Sequence, residues 1–284
     1  MPWWAKIGAK IVLSRLPVNH RVWQRMGVFR HGQMDACGYA LDVFRMHLRL
    51  AGLGGRLDGR LVLELGPGDG IATALICSAL GGRSILVDAG AYAQADVQAI
   101  LGLAGQLNAL GLSCPDVSGC KNMDEALEIC NSKYLTEGLR SLRGLPNDSV
   151  DMIFSQSVLE HVRKQDFDET LSQCRRVLKA DGAFSNHVDL KDHLGGGLNN
   201  LRFSEKTWES DLFSRSGFYT NRIRMTDMLR RFEAAGFSHS CLLPVHWSRM
   251  PIARSRLHRE FQALTEEELT VSAFDIVLRR AESK

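Results

Sequence analysis

The sequence predicts an α/β fold with a doubly wound, mostly parallel sheet that has an antiparallel edge. Short apolar runs of strand length alternate with helical patterns, which is typical of parallel strands joined by crossover helices. The first of these runs leads directly into a glycine-rich turn at 66–70. Two late apolar segments, 237–243 and 273–278, are expected to pair antiparallel at the sheet edge. We therefore expect one α/β domain over residues 59–284, after an N-terminal helical extension over residues 1–58.

The individual elements follow from the same patterns, taken in chain order. The expected strands are 60–65, 84–88, 134–137, 150–155, 182–187, 237–243 and 273–278. The expected helices are 39–50, 71–80, 95–110, 123–130 and 167–178. Residues 90–132 separate the second strand from the third, and they contain helical runs, so we expect an insertion with its own structure.

Composition and charge narrow the class of protein. The hydrophobic fraction is 45%, the charged fraction is 24% and the net charge is +3, as in an ordinary globular protein. No basic stripe is interleaved with aromatic residues, so we expect no nucleic-acid partner. The seven cysteines are odd in number and form no C-x-x-C pair, which favours neither a disulfide framework nor a zinc site. We expect free thiols and a cytoplasmic location.

The N-terminal segment carries paired tryptophans, spaced lysines and an apolar stripe through Ile7, Ile11 and Val12. No apolar run reaches the roughly 20 residues that a membrane-spanning helix needs. The segment also lacks a small-residue cleavage site, so it is a poor signal peptide. One interpretation is a helix in weak peripheral contact with a membrane. The favoured interpretation is a helix that packs on the domain, or on a second subunit in a homodimer.

The glycine turn is the strongest local signal in the sequence. The segment LELGPGDG at 63–70 ends a predicted strand and opens a predicted helix. Glycine has no Cβ and tolerates a positive φ, so a ligand can approach such a turn closely. The first turn of the helix adds unpaired N–H groups at the same place. A G-x-x-x-x-G-K-[ST] phosphate loop is excluded, because its lysine is absent.

An acidic residue completes this pattern. Asp88 follows Gly70 by eighteen residues and closes the second predicted strand. A carboxylate at that strand end can accept two hydrogen bonds from ribose hydroxyls, in the crevice outside the strand ends. The order of strand, glycine turn, helix, strand and terminal acid therefore predicts a Rossmann-like site for a nucleoside cofactor.

These motifs resemble those of class I S-adenosylmethionine-dependent methyltransferases over about residues 60–187. LELGPGDG is similar to the first motif of that family, and Asp88 matches the acidic residue of the second. The segments 145–162 and 174–184 are similar to the fourth strand and to the helix and glycine turn before the fifth.

The resemblance implies S-adenosylmethionine as cofactor and assigns residues to it. The cofactor-binding residues that it implies are Glu64, Gly66, Gly68, Gly70, Asp88, Thr136, Glu137, Ser155 and Gln156. The three glycines would line the methionine and ribose portion, and Asp88 would bind the ribose. Ser155 and Gln156 would flank the cofactor, and Thr136 and Glu137 would lie near the adenine. The long 90–132 insertion departs from the usual family pattern.

The rate of methyl transfer depends most on how the two reactants are oriented. The reaction needs a base only where the acceptor hydroxyl must lose its proton. The segment 185–193, just past the fifth strand, holds two histidines and two aspartates. His187 is our candidate general base. Asp189, Asp192 or His193 would orient it or bind the acceptor. The same residues could instead cap a helix and stabilise a turn, or hold a divalent metal ion; we favour a site without a metal.

Two further sets of residues complete the predicted site. His161 follows the fourth strand and resembles a histidine that many family members carry there, so it is a second catalytic candidate. Residues 190–227 are glycine-rich and then aromatic and basic, which is typical of a mobile lid with recognition residues. Its candidate substrate-binding residues are Trp208, Tyr219, Arg222 and Arg224, although Trp208 could equally belong to the core under the lid.

The leading functional prediction is O-methylation of a small, polar, hydroxylated acceptor such as a sugar. N- or C-methylation is the second prediction, because proximity suffices there and the histidines would be structural. A cofactor-binding protein without activity is the third. A nicotinamide-dependent oxidoreductase is disfavoured, because its G-x-G-x-x-G fingerprint needs a different glycine spacing.

Overall fold

A computed structural model describes residues 2–13, 34, 36–93 and 96–281. Within this part of the chain, seven strands form one sheet. The strands β1 to β7 are Leu61–Leu65, Arg83–Val87, Ser132–Leu135, Val150–Gln156, Leu178–Asp189, Phe237–His246 and Val271–Arg280. The helices α1 to α12 are Trp3–Leu13, Cys37–Leu50, Ala72–Ala79, Val97–Ala109, Met123–Ile129, Leu139–Arg143, Lys164–Val177, Glu205–Trp208, Asp211–Ser214, Met225–Ala234, Arg259–Gln262 and Glu266–Thr270. Helices α4 and α5 lie between β2 and β3.

The strand order confirms the predicted fold class. It runs β3-β2-β1-β4-β5-β7-β6, with β3, β2, β1, β4 and β5 parallel and with β7 antiparallel to both β5 and β6. Crossover helices such as α3 and α7 connect the parallel strands. The carboxyl ends of the parallel strands therefore share one edge of the sheet, where ligands of open α/β sheets bind.

The fifth strand is longer than the sequence pattern predicts. Helix α7 ends at Val177, and Leu178 already pairs with Val150 of β4. The register with β4 then shifts and resumes at Ala183, so the glycine turn expected there is an irregularity within the strand. At the other end, pairing with β7 extends β5 to Asp189. Tertiary pairing, which a local pattern cannot show, sets both limits.

The two faces of the sheet are covered by different helices. On one face, α2, α3 and α4 pack on a core that includes Phe44 and Phe154. On the other face, α7 and α10 pack on a core that includes Phe167 and Phe232. Helix α2 was predicted from three apolar residues at helical spacing, and it forms an integral layer of the α/β structure.

Helix α1 packs on the segment that follows β5. Ile7 is buried against an aromatic cluster that includes Trp208 and Phe213. Lys10 Nζ donates to the main-chain oxygens of His193 and Gly217, at 3.3 and 3.2 Å. This is the packing that the favoured interpretation of the N-terminal segment expects. Over the described residues, the helices are too short or too polar to cross a bilayer.

Candidate active site

The glycine turn after β1 has the conformation for which glycine is required. Gly66 and Gly68 have φ values of +67° and +68°, in the left-handed region. A Cβ on Gly66 would lie 2.6 Å from a methyl carbon of Val158, and Gly66 N donates to Val87 O at 2.8 Å. The turn is therefore held tightly against β2 and the segment after β4, at the shared carboxyl edge of the sheet.

Asp88 lies beside this turn and is nearly buried. Its Oδ2 accepts from Gly68 N at 3.2 Å, and its Oδ1 accepts from Ala89 N at 2.7 Å. These two contacts orient the carboxylate beside the turn. An oriented carboxylate at the end of a strand, beside a turn with no side chains in the way, is an acceptor that fits the vicinal hydroxyls of a ribose.

Glu64 lies behind the turn, on β1, and is fully buried. Burial, and to a smaller extent the negative charge of Asp88, raises the pKa of Glu64 to about 8. Glu64 is therefore mostly protonated at neutral pH. Glu64 therefore lies on the core side of the glycine turn.

The segment after β3 also lies against Asp88. Gly138, with a φ of +54°, donates its N–H to Asp88 O at 2.8 Å. Thr136 and Glu137, the predicted adenine neighbours, immediately precede it. The exposed Glu137 carboxylate accepts from Arg140 at 3.0 Å. The main chain of this segment is thus close to the predicted cofactor site, whereas the Glu137 side chain is engaged by Arg140.

Tyr134 was missed by the sequence reasoning, which treated it only as part of a strand. Its hydroxyl donates to Gly90 O at 3.0 Å and accepts from the N–H groups of Tyr92 and Ala93, at 3.0 and 3.2 Å. One side chain of β3 therefore fixes the loop that follows Asp88. A tyrosine in a short strand gives no sequence signal for this role.

Ser155 and Gln156 have opposite environments, because consecutive strand residues point to opposite faces. Ser155 is fully buried, and its Oγ donates to Asn186 Oδ1 at 2.7 Å. Its hydroxyl is therefore engaged within the sheet, and its place beside the cofactor stays a prediction. Gln156 is only partly buried, and its amide contacts His47 and Tyr39 of helix α2.

His187, the candidate base, is bonded to a carboxylate that the sequence reasoning did not select. Its Nδ1 lies 2.6 Å from Asp275 Oδ1, across the antiparallel pairing of β5 with β7. The two side chains are 25% and 22% exposed, so the pair can be reached from solvent. A carboxylate that accepts from Nδ1–H leaves Nε2 as the basic nitrogen. The one sequence signal was a lone acid within the apolar run of β7.

The other residues of the 185–193 cluster have different partners. Asp189 pairs with Lys191 at 3.3 Å, and its N–H donates to Glu160 Oε1 at 3.3 Å. Asp192 is buried and its carboxylate accepts from the N–H groups of three residues in its own loop, Leu194, Gly196 and Asn199. Asp192 therefore stabilises a turn in this structure, and its role as a substrate-binding residue stays a prediction.

His161 and His193 form a pair of their own. Their rings meet edge to face, with centroids 4.8 Å apart, and His161 Nδ1 lies 3.0 Å from Tyr219 O. His187 is bonded instead to Asp275, so neither ring orients the candidate base in this structure. Over the described residues, no group of three or more His, Cys, Asp or Glu side chains is placed to hold a metal ion.

The two aromatic lid candidates are buried. Trp208 is fully buried in the aromatic cluster under α1, and its Nε1–H donates to Thr220 O at 2.7 Å. Tyr219 is 5% exposed, and its hydroxyl donates to the carboxylate of Glu209 at 3.0 Å. Neither ring presents a face to solvent, so both residues pack in this structure, and their role in binding a substrate stays a prediction.

The two lid arginines are also structural. Arg222 pairs with Glu205 at 2.6 Å, and its guanidinium lies over the ring of Trp208 at 5.2 Å. Arg224 is buried and donates to four main-chain oxygens, those of Leu190, Glu268, Leu269 and Val271. Arg224 thereby ties the end of β5 to the start of β7. Both side chains make internal contacts in this structure, and their role as substrate-binding residues stays a prediction.

The sheet order, the glycine turn after β1 and the acid after β2 together define a Rossmann-like α/β domain. Within it, residues 63–185 match the family model described as "Methyltransferase domain". This part of the chain is therefore similar to a methyltransferase domain, and its motifs resemble those of the S-adenosylmethionine-dependent class I type.

Several solved structures share the fold. One chain of a complex between the Haloferax volcanii Trm112 methyltransferase activator and a methyltransferase is 15% identical, with 89% of this chain and 96% of that chain covered and a TM-score of 0.47. A SAM-dependent methyltransferase from Archaeoglobus fulgidus is 12% identical, with 86% and 95% covered and a TM-score of 0.48. One from Methanosarcina mazei is 14% identical, with 80% and 94% covered and a TM-score of 0.46. Among curated proteins, none matches this chain significantly.

Proposed function

We propose that this chain transfers a methyl group from S-adenosylmethionine to a hydroxyl of a small, polar acceptor such as a sugar. The observation that carries the proposal is the 2.6 Å contact between His187 and Asp275, within reach of solvent at the carboxyl edge of the sheet. A histidine held by a carboxylate is the arrangement that removes a proton from a hydroxyl.

The cofactor would be held by the glycine turn and by Asp88. Gly66 and Gly68 leave room for the methionine and ribose portion, and Asp88 would accept from the ribose hydroxyls. Bound S-adenosylmethionine supplies an electrophilic methyl group on a sulfonium. Gln156 would border it, because the sheet order places β4 directly beside β1.

His187 would accept the proton of the acceptor hydroxyl, and Asp275 would stabilise the protonated ring. As the acceptor oxygen bonds to the methyl carbon, its proton passes to Nε2 of His187, and the carbon–sulfur bond breaks. Asp275 keeps its hydrogen bond to Nδ1–H and stabilises the imidazolium that forms. Water then takes the proton when the product leaves.

The test replaces each member of the pair in turn. We expect His187→Ala to lower kcat at least 100-fold, which is the lower range for general-base catalysis, and to leave cofactor affinity nearly unchanged. Asp275→Asn should give an intermediate loss, because it keeps the ring but no longer stabilises its charged form. Methyl transfer is measured as S-adenosylhomocysteine formed over a panel of hydroxylated metabolites.

The control is His239→Ala, which changes an exposed histidine on β6 and should have no effect. Full activity of His187→Ala would remove the histidine from the mechanism and favour N- or C-methylation. We also propose a cytoplasmic location, which the seven free thiols support.

A further inference from the structure

Gln156 lies between the predicted cofactor site and the candidate base. Strand β4 is flanked by β1 and β5, with Leu65 of β1 opposite Ser155 and with His187 of β5 opposite Gln156. The glycine turn follows Leu65 directly. An acceptor that reaches both the turn and His187 must therefore cross the carboxyl end of β4, where Gln156 ends the strand.

His47 determines which end of the Gln156 amide is available. His47 Nε2 lies 3.1 Å from Gln156 Oε1, and Nδ1 lies 2.8 Å from Ser185 Oγ. Because an amide oxygen carries no proton, Nε2 must donate in the first contact. His47 is fully buried, and burial lowers its pKa to about 4, so the ring is neutral and has one N–H. Nδ1 therefore accepts from the Ser185 hydroxyl.

With its oxygen held by His47, Gln156 presents its nitrogen outward. One N–H of Nε2 donates to Tyr39 Oη at 3.3 Å. The other N–H has no partner within the described part of the chain. On the neighbouring strand, His187 has its Nδ1 bonded to Asp275, which leaves Nε2 as the ring nitrogen that can act as a base. The surface thus offers a hydrogen-bond donor and a base side by side.

We propose that Gln156 and His187 together select acceptors with two neighbouring oxygens, such as 1,2-diols and α-hydroxycarbonyl compounds. The Gln156 N–H binds one oxygen, and the hydroxyl on the adjacent carbon gives its proton to His187 and takes the methyl group. Neighbouring strands lie about 4.8 Å apart, a spacing that lets a donor and a base converge on adjacent oxygens. This inference rests on the proposed function, and it makes His47 a positioning residue.

The first test uses matched acceptor pairs. Each pair holds a vicinal diol and its counterpart without the second oxygen: 1,2-dihydroxybenzene with phenol, and a methyl hexopyranoside with its monodeoxy form. We expect the wild type to prefer the diol at least tenfold in kcat/KM. Gln156→Glu keeps the shape but replaces the donor, so it should raise KM for the diol and bring the preference within threefold. Gln165→Glu, at an exposed site on α7, is the matched control.

Equal use of both members of each pair by the wild type would overturn the inference, and so would an unchanged preference in Gln156→Glu. Methyl transfer to single-hydroxyl acceptors alone, lost in His187→Ala, would keep the proposed function and contradict this substrate class. Absence of cofactor binding would instead contradict the proposed function itself.

A second measurement needs no acceptor. With ¹⁵N-labelled histidine, long-range proton–nitrogen correlation spectra at neutral pH should show His47 protonated at Nε2 and bare at Nδ1. We expect Gln156→Leu to disturb the His47 signals and Gln165→Leu to leave them unchanged. A proton on Nδ1 of His47 would mean that the amide faces the other way, and would overturn the inference.

Discussion

Three buried ionisable side chains near the carboxyl edge of the sheet favour their neutral forms. Burial raises the pKa values of Glu64 and Glu160 to about 8 and lowers that of His47 to about 4. A neutral His47 is also what gives the Gln156 amide a single orientation.

The pKa of His47 has a consequence for stability. Because it lies below the unfolded value of 6.5, the unfolded chain binds a proton first, and this residue's contribution is lost as pH falls from 6.5 to 4. The loss amounts to about 3 kcal/mol for a shift of this size. We expect His47→Asn to lack it, so that the unfolding free energy of the wild type minus that of the variant should fall by about 3 kcal/mol between pH 7 and pH 4.

Urea unfolding at both pH values measures this difference, and comparison with the wild type removes the opposing contributions of Glu64 and Glu160. His239→Asn, at an exposed position, should behave as the wild type does. The same pH dependence in His47→Asn and in the wild type would contradict a neutral, buried His47.

At the scale of elements, two sequence patterns were enough to find the strands and the main crossover helices. Short apolar runs alternate with helical segments, and apolar residues recur at helical spacing within those segments. The glycine turn and Asp88 could be placed because both are local features of one β-α-β unit. The partner of His187 could not be placed, because Asp275 is far from it in sequence and meets it only through sheet pairing. The contact of His47 with Gln156 was missed for the same reason, since it forms only through helix packing. The burial of Trp208 and Arg224 could not be predicted for a related reason: their side chains carry chemistry suitable for binding a substrate, but composition does not reveal burial.

The glycine turn after β1 can be tested by substituting alanine for one of its glycines. Gly66→Ala should weaken cofactor binding at least tenfold, because its positive φ strains alanine and the new methyl would meet Val158. Gly102→Ala, within helix α4 and with no atom near the added carbon, should bind normally and gain about 0.5–1 kcal/mol of stability. Calorimetry and urea unfolding measure the two effects. Normal binding by Gly66→Ala would show that the turn does not approach the cofactor.

At the scale of the whole molecule, helix α1 and the segment after β5 form one packed unit. The aromatic cluster that unites them contains Ile7 of α1 and Trp208 and Phe213 of the lid segment. Sequence reasoning identified both parts but not their contact, since about 190 residues separate them. The segment after β5 therefore packs against helix α1.

A pair of substitutions on α1 tests this support. Ile7→Ala should destabilise the chain by about 2–3 kcal/mol, the lower range for a buried isoleucine. Val12→Ala, on the same helix but 60% exposed, should change stability by less than about 0.5 kcal/mol. Thermal unfolding compares them. Equal effects of the two substitutions would mean that α1 does not dock through Ile7.

The measurement that tests the central claim most directly is calorimetric titration with S-adenosylmethionine. We expect the wild type to bind one equivalent and Asp88→Asn to bind at least tenfold more weakly, because the amide cannot accept from both ribose hydroxyls. Asp124→Asn, at an exposed position on α5, should bind as the wild type does. No binding by the wild type at millimolar cofactor, or unchanged affinity in Asp88→Asn, would contradict the account.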